Sequence, residues 1–519
     1  MAFFFEERNR LVIPNWRSFT NTAKIGELNG SRKLRIEKSF TPDISDLVED
    51  WLENQTIGIA GDLLGTAIVC NKENDPNVRA AAQYITNNKN YISKELRDTA
   101  ELILRNDTDF NKPILDQDNF EAFQEKTNLY FIYEKIRKIR LRLKNNPNNS
   151  ILWVEIARFY AILGQNEKAE RAIKNAMNLS PDNRFVLRSM SRFFVHCGKT
   201  DYAHDFIKKL PITKFDPWVT ATEISLATKR GRYSKFIKQG TSIVNSSNFH
   251  PFNVSELNSS LGTLEMNSSF KKSKKFFNDS LINPNDNVLA QAEWASHKDN
   301  KLLNINPNDF DVSNTYEANA RNSSDQGEWE EAVDYAKLWF LDMPFSRGAI
   351  MFGSEIAANN LNNHKEAANI YKAGLTSHPN DPQMINNLVY SLCINNNLSE
   401  AEQFLQKFNS IISATYTENK ICMIATKGLY FFRKGYYDLG NKFYTESIEL
   451  AAETKNQKLA NQAFVNYVRE MNLSNQALEP EFIDKIDELR EKSNDKLILK
   501  VINDIDKLNE SKSTSENFG

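Results

Sequence analysis

The chain has 519 residues, more than one hydrophobic core usually organises, so it must hold several domains or a repeat array. Hydrophobic residues make up 40% and charged residues 25%, with only 18 Gly and 15 Pro, which excludes a wholly disordered chain and favours helix. Because 65 basic residues face 67 acidic ones, the net charge of -2 offers no global attraction for nucleic acid or membranes, and electrostatic binding would have to come from local patches.

At the start, charges follow directly on three phenylalanines, leaving no apolar run for a signal peptide. Residues 1–40 read as an irregular arm, broken at Pro14, that packs on the rest of the protein. Residues 41–149 read as helix pairs without a repeat signature: 42–54, 57–71, 76–86, 93–105 and 120–144, separated by Asn, Asp and Pro. The apolar run 57–70 is short and contains Asp62, so it reads as a buried helix and not as a membrane span. In the last of these segments Lys135, Arg137, Lys138, Arg140, Arg142 and Lys144 interleave with Ile136, Ile139 and Leu143. The cations read mainly as a solvated exterior, with contact to nucleic acid or another polyanion as the competing reading.

From 150 to 183 the order Trp153, Ile156, Ala157, Tyr160, Gly164, Ala169, Ile173, Ala176, Pro181 resembles the tetratricopeptide-repeat (TPR) family, with Ala157 where a small Gly is usual. Small residues belong where two antiparallel helices cross, and proline ends the second helix. The register returns at 184–217, 217–250, 253–286, 313–346, 348–381, 382–415 and 421–454. The resemblance implies an all-α, right-handed TPR α-solenoid of stacked helix-turn-helix repeats, with a helical N-terminal region and C-terminal capping helices. The expected divisions are a proximal arm at 150–298, a turn-rich seam at 299–312 lacking a second helix, and a distal arm at 313–454. Charged capping helices at 455–510 and a disordered tail at 511–519 complete the chain.

The family resemblance also implies which side chains face a concave groove. In the proximal arm these are Arg158, Arg188 and Arg192, suited to a carboxylate or phosphate. In the distal arm they are Phe352, Ile356, Asn386, Tyr390, Leu429 and Phe432, an apolar and aromatic surface with one amide suited to an extended peptide.

Nothing in the sequence signals chemistry: there is no Gly-Lys-Ser/Thr phosphate loop, HExxH, GxSxG or GxGxxG after a strand. The six histidines are isolated and the four cysteines show no CxxC spacing, so no metal or cofactor is expected, and the setting reads as cytoplasmic. The expected function is a non-enzymatic scaffold or adaptor holding a protein or peptide in a multiprotein assembly, without membrane or small-molecule substrate. The alternative is a regulatory subunit contacting nucleic acid through the basic helix and the groove arginines.

Overall fold

A computed structural model of the chain describes residues 10–19, 44–70, 72–88, 92, 94–104, 126–246, 248–412 and 415–516, and all regular structure among them is helical. Four short helices come first: α1 (Ser45–Glu53), α2 (Ile57–Cys70), α3 (Pro76–Asn87) and α4 (Lys94–Leu104). They close around Trp51, Leu63, Leu64 and Ile85, with Ala60, Ala67, Ala81 and Ala82 as the small residues that let the helices approach. The α5 helix (Lys126–Asn145) buries Ile132, Ile136, Ile139 and Leu143, a stripe at helical spacing. Arg137, Lys138, Arg140, Arg142 and Lys144 are left exposed and Lys135 half-buried. Residues 120–125 of the expected helix lie outside the described residues.

Helix pairs follow: α6 (Ser150–Ile162) with α7 (Asn166–Leu179), α8 (Arg184–His196) with α9 (Thr200–Ile207), α10 (Pro217–Lys229) with α11 (Ile237–Asn245), and α12 (Pro251–Glu265) with α13 (Phe270–Ser280). Then comes α14 (Asp286–Lys298). The first helices begin about 34 residues apart, the TPR period. Each start has a local cause, because a polar side chain just ahead accepts hydrogen bonds from the unpaired N–H groups of the first turn. Asn149 accepts from Leu152 N at 3.0 Å, Asn183 from Val186 N at 3.1 Å, and Asn285 from Val288 N at 2.9 Å. Asp216 accepts from Trp218 N at 2.9 Å and Val219 N at 3.1 Å, while Pro217 supplies a pre-set first turn. First helices pack on first helices, α6 on α8, α8 on α10, α10 on α12 and α12 on α14, so they form one continuous layer. Ala157 and Ala169, expected at helix crossings, are fully buried.

After α14 there is no second helix, and the turn-rich stretch carries only the 3-10 turn Pro307–Asp309. The array nevertheless continues through it, since Leu302 and Leu303 bury against Phe277 and Trp294, and α14 packs on α15 (Tyr316–Gln326). The chain divides elsewhere. One compact unit comprises the described residues of Arg8–Gly327 and Leu338–Ser346, and the other those of Glu328–Lys337 and Arg347–Gly519, so α16 (Trp329–Asp342) contributes to both.

The second unit continues with α17 (Arg347–Asn359) and α18 (His364–Gly374), α19 (Pro382–Ile394) and α20 (Leu398–Ile411), and α21 (Thr417–Arg433) and α22 (Tyr437–Glu453). It ends with α23 (Gln457–Leu473), α24 (Pro480–Lys492) and α25 (Lys496–Glu516). The region expected as charged caps opens with α23, a further first helix buried almost throughout. The α25 helix packs on it through Ile498, Val501, Ile502 and Ile505 against Phe464, Val465 and Val468. It runs on to Glu516, through most of the stretch expected to be disordered, while 517–519 lie outside the described residues. Among the described residues no helix is long and apolar enough to cross a membrane.

Candidate functional site

The layer of first helices in the first unit is not bare: residues 10–19 of the chain's own N-terminal arm lie across it. Trp16 is fully buried, its ring centroid 6.0 Å from Phe193 on α8 and 5.2 Å from Phe345. Phe19 meets Phe185 edge-on at 5.5 Å. Backbone groups are gripped by side chains, as extended segments require when no sheet pairs them. Glu155 on α6 accepts from Phe19 N at 2.6 Å and Ser18 Oγ at 2.8 Å, Asn287 on α14 donates to Ile13 O at 3.1 Å, and Gln291 donates to Arg10 O at 2.9 Å.

Two arginines of the arm anchor it by charge. Arg10 forks onto Glu317 of α15, with Nε and Nη2 each 2.8 Å from the carboxylate, and its Nη1 reaches Gln291 at 2.9 Å. Burial alone would push the Glu317 carboxyl up, but Arg10 and Arg321 outweigh it and hold its pKa down at about 2. Arg17 bridges Asp286 at 2.7 Å and Asp342 at 2.6 Å; burial opposes its charge, yet the two carboxylates keep it firmly protonated.

Two of the expected proximal groove arginines, Arg158 and Arg188, sit at this layer and are buried. Arg188 makes a bidentate pair with Glu256 of α12 at 2.7 and 3.0 Å and lies 4.7 Å from the Trp218 ring centroid. Glu256 also accepts from Asn285 and Asn287, and burial, which would raise its pKa, is overcome by these donors and Arg188. Arg158 is 2% exposed, 4.8 Å over Phe159, with Nε and Nη2 lacking hydrogen-bond partners; burial depresses its pKa against the pull of Glu155 and Asp342. Arg192 is half-buried. Arg158 and Arg188 are therefore enclosed in an internal network of acids, amides and the arm, while Arg192 keeps part of its surface. A carboxylate two repeats away was available to Arg188, and sequence spacing does not reveal such a pairing.

In the second unit the distal residues are likewise internal. Leu429 and Phe432 belong to the core, Phe432 packing against Tyr444 and Tyr467. Ile356 and Asn386 are buried and Phe352 half-buried. Tyr390 lines a cavity, donating to Asn466 Oδ1 at 3.3 Å and accepting from Arg469 Nη1 at 3.3 Å. The groups that sequence reading missed here are Arg433, Glu470 and Arg469. Their signal was the adjacent Arg469-Glu470 pair within 463–471, a stretch of α23 that is apolar apart from Asn466 and that pair.

One buried cluster has the residue types of a hydrolase without the wiring. Glu223 lies between Ser234 Oγ, which donates to it, and His204 Nε2 at 2.9 Å, so the serine meets a carboxylate and not the imidazole that would deprotonate it.

No protein-family model matches the chain, and no curated protein matches it. Among solved structures it is similar to the hetero-tetramer Cut9-Hcn1 of the APC/C at 11% identity, covering 92% of this chain and 99% of that one, with a TM-score of 0.34. It is also similar to yeast Tom70 at 12% identity, 76% and 96% coverage and a TM-score of 0.28. A third is human IFIT1, solved as a dimer with PPP-AAAA, at 12% identity, 92% coverage of each chain and a TM-score of 0.32. The class of protein is defined by the chain's own helices: an all-α helical-repeat solenoid resembling TPR proteins, with its first helices aligned in a layer.

Proposed function

We propose that the protein is a non-enzymatic scaffold whose layer of first helices, α6 to α15, holds an extended protein segment within a multiprotein assembly in the cytoplasm. The observation that supports this most is the arm itself. An irregular segment sits there with two aromatic anchors, Trp16 and Phe19, two arginine anchors, and its backbone held by Glu155, Asn287 and Gln291, the kind of side-chain grip an extended peptide on a repeat surface needs. The polyanion reading is left with α5 alone, because Arg188 is paired with Glu256 and Arg158 is enclosed. A peptide spanning residues 8–21 supplied to a chain that lacks its first 21 residues should bind with micromolar Kd, about -8 kcal/mol. Substitution of Trp16 by Ala in the peptide should abolish binding. Absence of binding by a truncated chain that is still fully helical by circular dichroism would refute the proposal.

A further inference from the structure

The second unit contains a cavity of about 370 Å³ between α19, α23 and α25, independent of the arm and its layer. That volume lies in the range of small-molecule sites. Its rim is exposed, at Asn362, Leu473 and Lys507, and its inner residues His364, Tyr390, Asn466 and Arg469 are buried. Val465, Leu497 and Val501 make much of the wall apolar.

Charge inside this cavity is not balanced. Arg433, Arg469, Lys500 and Lys507 line it, against Asp504 in the lining and Glu470 beside it. The single Glu470 carboxylate serves two guanidiniums, taking Arg433 Nε at 2.6 Å and Nη2 at 3.1 Å on the one side and Arg469 Nε at 2.9 Å on the other. Arg469 Nη2 stands 2.9 Å from the same carboxylate yet is too poorly aligned to donate to it, and so keeps an N–H to spare. Lys500 Nζ is held by two backbone carbonyls, Ala358 O at 3.0 Å and Asn359 O at 2.9 Å, which orient it without neutralising it. His364 Nδ1 is buried with no hydrogen-bond partner. Burial, followed by the Lys500 and Arg469 charges, holds that imidazole's pKa at about 4, as expected in a positive field.

We infer that this cavity binds a small organic carboxylate with an aliphatic body, the head group taken by Arg469, Lys500 and His364 and the chain lying along Val465, Leu497 and Val501. The surplus of cations around the cavity, with Arg469 buried and Arg433 and Lys500 half-buried, favours an anion that completes the unfilled donor. A planar guanidinium matches a carboxylate, and the apolar wall disfavours a bare inorganic anion.

The test is calorimetric titration of the full chain with decanoate, 1-decanol, octyl phosphate and inorganic phosphate. Decanoate should bind at one site per chain with Kd below about 100 μM. Lys500→Gln, which keeps the donors to the carbonyls but removes the charge, should weaken it about tenfold. Leu497→Trp at the half-buried wall should block it and serves if Lys500→Gln does not fold. Decanol binding as tightly as decanoate would overturn the charge argument. Either phosphate binding more tightly than decanoate would overturn the carboxylate, and no decanoate binding at about 1 mM would overturn the site.

Discussion

Single residues carry most of the unusual energetics here, because charges have been moved into the interior. Arg184 and Asp216 are both fully inaccessible, 2.7 Å apart, and Asp216 also caps α10, so one side chain closes an ion pair and starts a helix. Glu293 on α14 is the opposite case. It is 4% exposed, its Oε2 has no hydrogen-bond partner, and burial together with nearby Asp325 raises its pKa to about 7 despite Arg321. The folded state thus binds the Glu293 proton more tightly than the unfolded chain. Its carboxyl is no burden below the unfolded pKa near 4.5, and stability falls as pH rises from there through about 7. Glu293→Gln should therefore raise stability at pH 8 by about 3 kcal/mol and leave pH 4 nearly unchanged. Urea unfolding at the two pH values measures it, and equal gains at both would show that the carboxyl ionises freely in the fold.

At the scale of elements, the sequence was most legible where a helix begins or two helices cross. The starts at Ser150, Arg184, Pro217 and Pro382 fall where the repeat register put them, because capping side chains and small crossing residues act locally. The turns inside the pairs were only half legible. Gly164, Gly198, Gly231, Gly327 and Gly435 all adopt positive φ, between 64 and 83°, which closes a helix C-terminus. In three other connectors the same place is taken by Asn362, Asn396 and Asn475 with φ of 52–58°, so the asparagines there are left-handed helix stops. Lys455, between α22 and α23, occupies that conformation at φ 57° with neither glycine's freedom nor asparagine's tolerance. Lys455→Gly should stabilise the protein by about 1 kcal/mol, seen as a raised Tm, whereas Lys455→Val should lower it. Long-range partners such as Arg10 with Glu317 were invisible, since nothing within a 34-residue period points to a residue 307 positions away.

Over the whole molecule, the repeat array and its helical C-terminal cap were readable, but not how the turn-rich stretch and the inner face of the cap are held. Turn-rich composition suggested a seam at 299–312, yet two leucines tie that stretch into the helices around it. The end of the array was read as charged, amphipathic capping helices. Its outer face is charged, but the inner face of α25 presents isoleucines to α23 and α24, completing a cluster that includes Phe464, Val468, Ile486 and Leu489. A solenoid end without such a cover exposes apolar side chains. Truncation after Ser493 should accordingly give a protein that binds a hydrophobic dye and self-associates in light scattering. A monodisperse, dye-silent truncation would mean that α25 is dispensable.

The arm also sets an order of events during synthesis. Residues 10–19 leave the ribosome before the helices they lie on, and Glu317 and Asp342, which anchor Arg10 and Arg17, emerge more than 300 residues later. At the usual pace of translation the segment waits on the order of tens of seconds, with Trp16 exposed, before its seat exists. Until the last turn of α16 and Phe345 have emerged, the seat of Trp16 and Arg17 is incomplete, and the exposed indole is the place on the nascent chain where a chaperone would act.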